Sequence, residues 1–344
     1  MPRIAINGFG RIGRAFFKLA LTRPELEITA INDLGDPENL AYLLRFDSAY
    51  GRYNQEVHVA DESGKKWLTI GGKRTMFLQE KDPAKLPWEA LGIDVVVEST
   101  GAFESYEKAR VHITAGARRV VLTAPAKDDD GPDARTVLMG VNTKELSKCV
   151  LTSNGSCTTN SASPVLQILT EKLGVKKAFL NTVHGYTATQ NLIDGPVKGH
   201  DFRRGRAAAA NITPSTTGAA IAVARAVTDL KGKFDGVSMR VPVLTGSLSA
   251  ITFVSKKKTS AEEINKILTE AAGEPRWKDI FAVTNEQLVS ADVVGDPHAA
   301  IADLSLTKVV DDDLCCVYSW YDNEFGYTNA LVMHVLEVAR SLER

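Results

Sequence analysis

Short, continuous apolar runs rich in β-branched residues mark the first part of the chain: Ile4-Ala5-Ile6, Ile28-Thr29-Ala30-Ile31, Ile93 to Val97 and Arg119 to Leu122. Runs of this length without alternation predict strands buried on both faces, as in a parallel sheet. A helical run ending near Leu21 follows the first of them, so the opening reads strand, glycine turn, helix, and the βα units after it predict a doubly wound α/β sheet. After about residue 153 the texture changes. Longer strands are expected at 178–183, 237–243 and 248–254, joined by helices and by a long loop from Gln190 to Thr213, which predicts an α+β domain with a largely antiparallel sheet. A last helix is expected from Asn323 to Leu342, packing back on the first domain. The domain reading is therefore 1–152, 153–320 and 321–344.

Composition narrows this picture only slightly. The 344 residues are 44% hydrophobic, which suits two folded domains, and 41 basic against 42 acidic residues give a net charge of -1. That balance offers no general attraction to nucleic acid or to anionic membrane, so any anion binding must be local. The chain goes from Met1-Pro2-Arg3 straight into an apolar strand, with no signal-peptide pattern and no apolar run of membrane length; the expected location is the cytoplasm. Four cysteines make neither a disulfide framework nor a zinc-ligand spacing. The charge runs 127–130 and 256–258 read as solvated turns or edges.

The first turn carries chemistry. In Asn7-Gly8-Phe9-Gly10-Arg11-Ile12-Gly13 the glycines have the GxGxxG spacing, which permits a tight turn, close approach of a pyrophosphate and tight helix–strand packing. The pattern alone is weak. The next strand, however, ends in Asn32-Asp33, 20 residues beyond Gly13, where a carboxylate suits the adenosine ribose hydroxyls of a dinucleotide in a Rossmann-type domain. Two further strands end in Ser99-Thr100-Gly101 and in Thr123, at the carboxyl ends where open α/β sheets bind ligands.

A second motif lies at the change of texture. Ser153-Asn154-Gly155-Ser156-Cys157-Thr158-Thr159-Asn160 puts one cysteine between two hydroxyl residues, with Ser156 a good N-cap and Pro164 expected to end the first turns. Unpaired amides and the helix dipole there favour thiolate over thiol, although a small buried cysteine is the plainer alternative. Thr216-Thr217-Gly218 likewise precedes a helical run, 219–227, whose first amides suit an anion.

These motifs, together with His184 to Gln190, Arg203 to Ala209 and Ser319 to Tyr327, resemble glyceraldehyde-3-phosphate dehydrogenases of the phosphorylating type, in the family's order and spacing from residue 1 to about 340. The resemblance implies that Cys157 attacks an aldehyde to give a thiohemiacetal and then an acyl thioester, and that His184 is the base; by itself a histidine ending an apolar strand reads as structural. It implies one phosphate site from Thr187, Thr189 and Arg240, and a second from Ser156, Thr158, Arg204, Thr217 and Gly218. Arg203 and Arg206 read as a solvated basic loop. The cofactor is expected against Asn7, Gly8, Gly10, Arg11, Ile12, Asp33, Lys81, Ser99, Thr100, Gly101, Thr123, Asn323 and Tyr327. Asn323 would otherwise read as an N-cap, and Tyr327 as a helix-packing aromatic. Asp33 followed by Leu34 predicts NAD over NADP, because a carboxylate repels a 2′-phosphate.

Gly155, Ser161 and Gly185 depart from residues common among relatives, and Ser161 removes a second thiol near Cys157. The expected assembly is a homotetramer acting on glyceraldehyde 3-phosphate and inorganic phosphate. An erythrose-4-phosphate dehydrogenase and an amino-acid semialdehyde dehydrogenase are the rival enzymes, the latter disfavoured by Thr187, Thr189 and Arg240. A nucleic-acid-binding role is admitted only as a secondary activity.

Overall fold

The computed structural model describes residues 1–342, and the chain divides into two compact units. The first comprises Met1–Val137, Lys144–Asn154 and the chain from Leu331 on. Its nine-stranded sheet runs, in spatial order, Ala134–Thr136, Leu151–Ser153, Arg119–Leu122, Val95–Glu98, Arg3–Asn7, Glu27–Asn32, Lys73–Leu78, Lys65–Ile70 and Val57–Glu62. The first seven are parallel; the last two add an antiparallel edge. The apolar runs of the sequence are the central strands, buried on both faces. The hairpin 57–70 is an addition to the expected elements; its turn at Ser63 and Gly64 takes positive φ at both residues, which fits a tight two-residue connection.

Chain order reverses at Arg3–Asn7, because Glu27–Asn32 lies on one side of it and Val95–Glu98 on the other. The carboxyl end of this strand is thus the switch point of the sheet, and the helix Arg11–Ala20 starts there. On one face Ile4, Ile6, Phe16 and Phe17 share a core with Leu331, Val332, Val335 and Leu336 of the last helix; on the other, Val96, Val120 and Trp88 form a second.

The second unit comprises Leu138–Thr143 and Gly155–Ala330. Its seven-stranded sheet is ordered Thr213–Thr216, Phe234–Val241, Val175–Gly185, Ser247–Ser255, Leu314–Tyr321, Ala300–Val310 and Phe281–Thr284. Four of its six pairings are antiparallel, and the two parallel ones join Val175–Gly185 to Phe234–Val241 and Ala300–Val310 to Phe281–Thr284. The helix Cys157–Lys172 buries most of its residues and runs unbroken through Pro164, contrary to the expectation that the proline ends its first turns. The ring removes one backbone donor, a loss that the buried packing of Ala162, Val165 and Leu166 offsets. Nor is the 127–130 run merely solvated, since Asp128 accepts the Tyr106 and Glu107 amides and Asp130 the Thr136 amide. No helix among the described residues is long and apolar enough to cross a membrane.

Candidate active site

Cys157 is the first residue of its helix. Ser156 caps it from extended backbone: its Oγ accepts the Thr159 amide at 3.1 Å, and Thr159 Oγ1 accepts the Ser156 amide at 3.1 Å. This reciprocal box fixes the helix start and places Cys157 in the first turn, at the positive end of the helix. Gly155 enters the turn at φ +64°, where a Cβ would come within 2.9 Å of Thr159, so glycine suits this position. The buried Tyr327 donates its hydroxyl to Gly155 O at 3.2 Å and steadies the same turn.

His184 arrives from the neighbouring sheet. Leu180, Thr182 and His184 form the buried face of Val175–Gly185, with the period of two that a strand imposes, and the parallel register makes Arg240 the direct neighbour of His184. His184 Nε2 lies 3.3 Å from Cys157 Sγ. Its Nδ1 lies 2.6 Å from Gly185 O and 2.7 Å from Arg240 Nη1. The buried Tyr321 stands edge-on to the imidazole, its hydroxyl 3.1 Å from Thr158 Oγ1 and 2.8 Å from Thr182 Oγ1.

Opposing influences meet at this pair. Burial pushes the Cys157 thiol up, while Arg240 and the hydrogen bonds of Thr158 pull it down by less. Burial, helped by Arg240, drives His184 down to about 3, and burial lifts Tyr321 to about 12. The helix-terminus pull and Arg240 act on the thiol against that desolvation.

The candidate anion donors fall into linked sets. Thr187 and Thr189 hydroxyls are 3.0 Å apart, and Arg204 donates to Thr189 Oγ1 at 3.1 Å and to Ser215 Oγ at 2.6 Å, with Asp201 3.5 Å away. Arg204, expected at the attacking phosphate, thus touches Thr189, expected at the substrate's own. Thr217 Oγ1 accepts the Ala219 amide at 3.2 Å, and Gly218 opens the helix Ala219–Ala226 without a side-chain cap. Arg203 and Arg206 pair with Asp201 and Asp194 at the surface.

The glycine loop of the first unit fits a dinucleotide. At Gly8, φ +97°, a Cβ would lie 2.6 Å from Thr100 N, and at Gly13 one would lie 2.1 Å from Gly8 O, so the turn closes only with glycine. Around Gly10 a Cβ would meet nothing within 4 Å, and Gly10 starts the helix Arg11–Ala20 without a side-chain cap, so an anion can approach the first turn. Arg11 itself turns to Asp47 at 2.9 Å. Asp33 accepts the Phe9 amide at 2.6 Å and the Gly35 amide at 2.8 Å, which fixes its carboxylate at the strand end with lone pairs to spare. Asn32 clasps the main chain of Glu80 through two hydrogen bonds and so holds the exposed Lys81 segment beside that strand end.

Ser99 donates to Gly8 O at 2.6 Å and Thr123 to Glu98 O at 3.0 Å, while Gly101 takes φ +70°. Beneath them Glu98 accepts Asn7 Nδ2 at 2.6 Å, the Thr100 amide at 2.8 Å and the Thr100 hydroxyl at 2.5 Å. In the second unit, Asn323 Oδ1 accepts Gly246 N at 3.0 Å and Ser247 Oγ at 2.9 Å, which turns its Nδ2 donors outward from that contact. A carboxamide oxygen matches those donors. Asn323 is not the helix cap: the last helix begins at Phe325, and Asp322 accepts the amides of Glu324 and Phe325.

Residues 2–106 match the model of the glyceraldehyde 3-phosphate dehydrogenase NAD binding domain, and residues 156–323 that of its C-terminal domain. The glyceraldehyde-3-phosphate dehydrogenase of Clostridium pasteurianum is 46% identical over 336 residues, covering 96% of this chain and 97% of its own. Those of Mycobacterium avium and Zymomonas mobilis subsp. mobilis are 45% and 43% identical, each match covering 99% of both chains. The chain belongs to the glyceraldehyde-3-phosphate dehydrogenase family.

For this family member, sequence reasoning overlooks three site residues. Tyr321 lies within one of the motifs without an evident task; the alternation Ser319, Tyr321 on Leu314–Tyr321 is the available signal that it faces inward. Thr182 shares the His184 face by the same period. Ser247 gives no signal, because only the folded turn brings its hydroxyl between Asn323 and the Gly185 amide. Ser161, one helical turn beyond Cys157, sits buried between Ser249 and Ser319 at 3.3 and 3.4 Å.

Proposed function

We propose that this chain oxidises D-glyceraldehyde 3-phosphate and phosphorylates it to 1,3-bisphosphoglycerate with NAD, as a homotetramer of the cytoplasm, in glycolysis and gluconeogenesis. The observation that carries the reading is the 3.3 Å approach of Cys157 Sγ to His184 Nε2 at a capped helix start. Cys157 passes its proton to His184 and its sulfur attacks the aldehyde carbon; as the C=O π bond opens, His184 returns that proton to the oxygen, giving a thiohemiacetal and a histidine free to act as base. Bound NAD supplies the hydride acceptor. As the thiohemiacetal carbon loses hydride, His184 takes the hydroxyl proton and a thioester remains on Cys157. An oxygen of inorganic phosphate then attacks the thioester carbon, the C–S bond breaks, and the thiolate leaves.

Thr187, Thr189 and Arg240 hold the substrate's own phosphate; Ser156, Thr158, Arg204, Thr217 and the Gly218 backbone hold the attacking one. Hydroxyls, amides and forked guanidinium groups are the donors a phosphate dianion takes. Asn323 orients the nicotinamide carboxamide, Asp33 the adenosine ribose, and the amides from Gly8 to Ile12 the pyrophosphate. The first unit is thus the NAD-binding domain and the second the catalytic one.

Mixing enzyme, NAD and glyceraldehyde 3-phosphate without phosphate should leave a phosphoglyceroyl adduct on Cys157, visible by mass spectrometry and discharged by added phosphate. An adduct on another residue, or none, would refute this reading.

A further inference from the structure

Three buried hydroxyls stand in a row behind Cys157. Tyr321 Oη lies 3.1 Å from Thr158 Oγ1 and 2.8 Å from Thr182 Oγ1, and Thr182 Oγ1 lies 3.4 Å from Leu248 O. Tyr321 is 1% exposed and Thr182 0%, so solvent offers the inner members no partner. At the outer end Thr158 Oγ1 lies 4.0 Å from Cys157 Sγ. The strands of Thr182 and Tyr321 flank Ser247–Ser255, so two strand spacings separate them, and the length of a tyrosine closes that gap.

Each hydroxyl has one proton to give, and the row therefore has an inward and an outward order. Running inward, Thr158 donates to Tyr321, Tyr321 to Thr182 and Thr182 to Leu248 O. Running outward, Thr182 donates to Tyr321 and Tyr321 to Thr158, which leaves the Thr158 proton for an acceptor in the active site. The inward order ends on a weak bond, since the contact with Leu248 O exceeds the roughly 2.5–3.0 Å of ordinary O–H···O bonds. An anion beside Thr158 thus selects the outward order, and a chain of hydrogen bonds strengthens its last donor. Tyr321 keeps its own proton throughout, because burial and the neighbouring Cys157 lift its pKa to about 12.

We propose that Tyr321 is a positioning residue for the second half-reaction: its hydroxyl, held by Thr182, donates to Thr158 and turns the Thr158 proton out to the attacking phosphate. This rests on the assignment of Thr158 to that phosphate made above. A threonine hydroxyl left to rotate presents a lone pair to the dianion in some of its orientations. With Tyr321 donating to it, that lone pair is engaged and the proton faces the phosphate.

The test separates the two half-reactions in Tyr321→Phe, which keeps a ring edge-on to His184 and removes only the hydroxyl. Mixing enzyme with NAD and glyceraldehyde 3-phosphate in phosphate-free buffer measures acylation as a burst of reduced cofactor. Adding graded inorganic phosphate to the acyl enzyme then measures its discharge. At subsaturating phosphate, discharge by the variant should slow roughly tenfold, the worth of one hydrogen bond to a charged group, and by more than the burst slows. The loss should appear as a raised KM for phosphate. Thr182→Val, which deletes a hydroxyl at nearly constant shape, should move the same ratio in the same direction by less. A tyrosine that only packs the core would slow both half-reactions alike, or neither, and either result overturns the positioning role. Where Tyr321→Phe folds poorly, a wild-type ratio in Thr182→Val overturns it equally. Thr158→Val should show the same split; a wild-type phosphate KM there would refute the assignment of Thr158, and an acyl enzyme that phosphate does not discharge in the wild type would refute the proposed function itself.

Discussion

At the scale of single residues, Cys157 lies between two opposing fields. Its helix amides and Arg240 favour the anion, while burial favours the thiol, and His184 at 3.3 Å is placed to settle the contest by taking the proton. Cys157→Ser should therefore abolish cofactor reduction, and His184→Asn should leave a rate reduced by roughly 10²–10⁴ with alkylation of the thiol shifted to higher pH. A serine variant that still reduces NAD with glyceraldehyde 3-phosphate would contradict the nucleophile assignment. Asp33→Ala should weaken NAD binding and narrow the preference over NADP, measured as the ratio of kcat/KM; an unchanged ratio would show that the discrimination lies elsewhere. These roles are legible in the sequence because each stands at a start or an end: a cap, a strand terminus, a glycine turn. Those of Tyr321, Thr182 and Ser247 are not, since they arise from register and from a turn, which bring together residues far apart in sequence.

At the scale of elements, the carboxyl ends of the parallel strands are tied by one buried network. Trp88 Nε1 donates to His112 Nδ1 at 3.1 Å, which leaves His112 Nε2 to donate to Glu98 at 2.9 Å. Glu98 then accepts Asn7 and Thr100, and Asn7 Oδ1 accepts Asn32 Nδ2 at 2.8 Å. A carboxylate surrounded by donors is well served, and Glu98→Gln would turn an amide NH₂ toward some of them. That variant should lose about 2 kcal/mol of stability in denaturant and bind NAD more weakly by titration; wild-type values for both would remove the network from the cofactor site.

The last helix carries a second buried histidine. His334, 2.8 Å from Thr152 Oγ1, has its pKa driven by burial to about 3, against 6.5 when exposed. Below pH 6.5 the unfolded chain binds a proton that the folded one refuses. The contribution is therefore complete above about 6.5 and is lost as pH falls toward 3, at up to about 1.4 kcal/mol per pH unit. Replacing it, as His334→Gln, should reduce the loss of stability between pH 7 and pH 5; an equal loss in variant and wild type would contradict a neutral buried imidazole. Apolar periodicity announces this helix and both kinds of sheet, but not the helix running on through Pro164, where tertiary packing overrides a local breaker.

At the scale of the molecule, the second unit leaves apolar surface uncovered. Leu192, Ile193, Phe202 and Ile212 on the long loop are more than two-thirds exposed, and Phe179 and Val183 project from the outer face of the sheet. Such residues in a chain of this family support the homotetramer proposed above. Light scattering should give four times the chain mass, and a stable, fully active monomer would contradict it. The central claim is that Cys157 conserves the energy of oxidation in a thioester that only phosphate discharges efficiently. Steady-state NAD reduction with glyceraldehyde 3-phosphate, with and without inorganic phosphate, tests it most directly. The account predicts sustained turnover with phosphate and a near-stoichiometric halt without it; sustained phosphate-independent turnover to the free acid would contradict it.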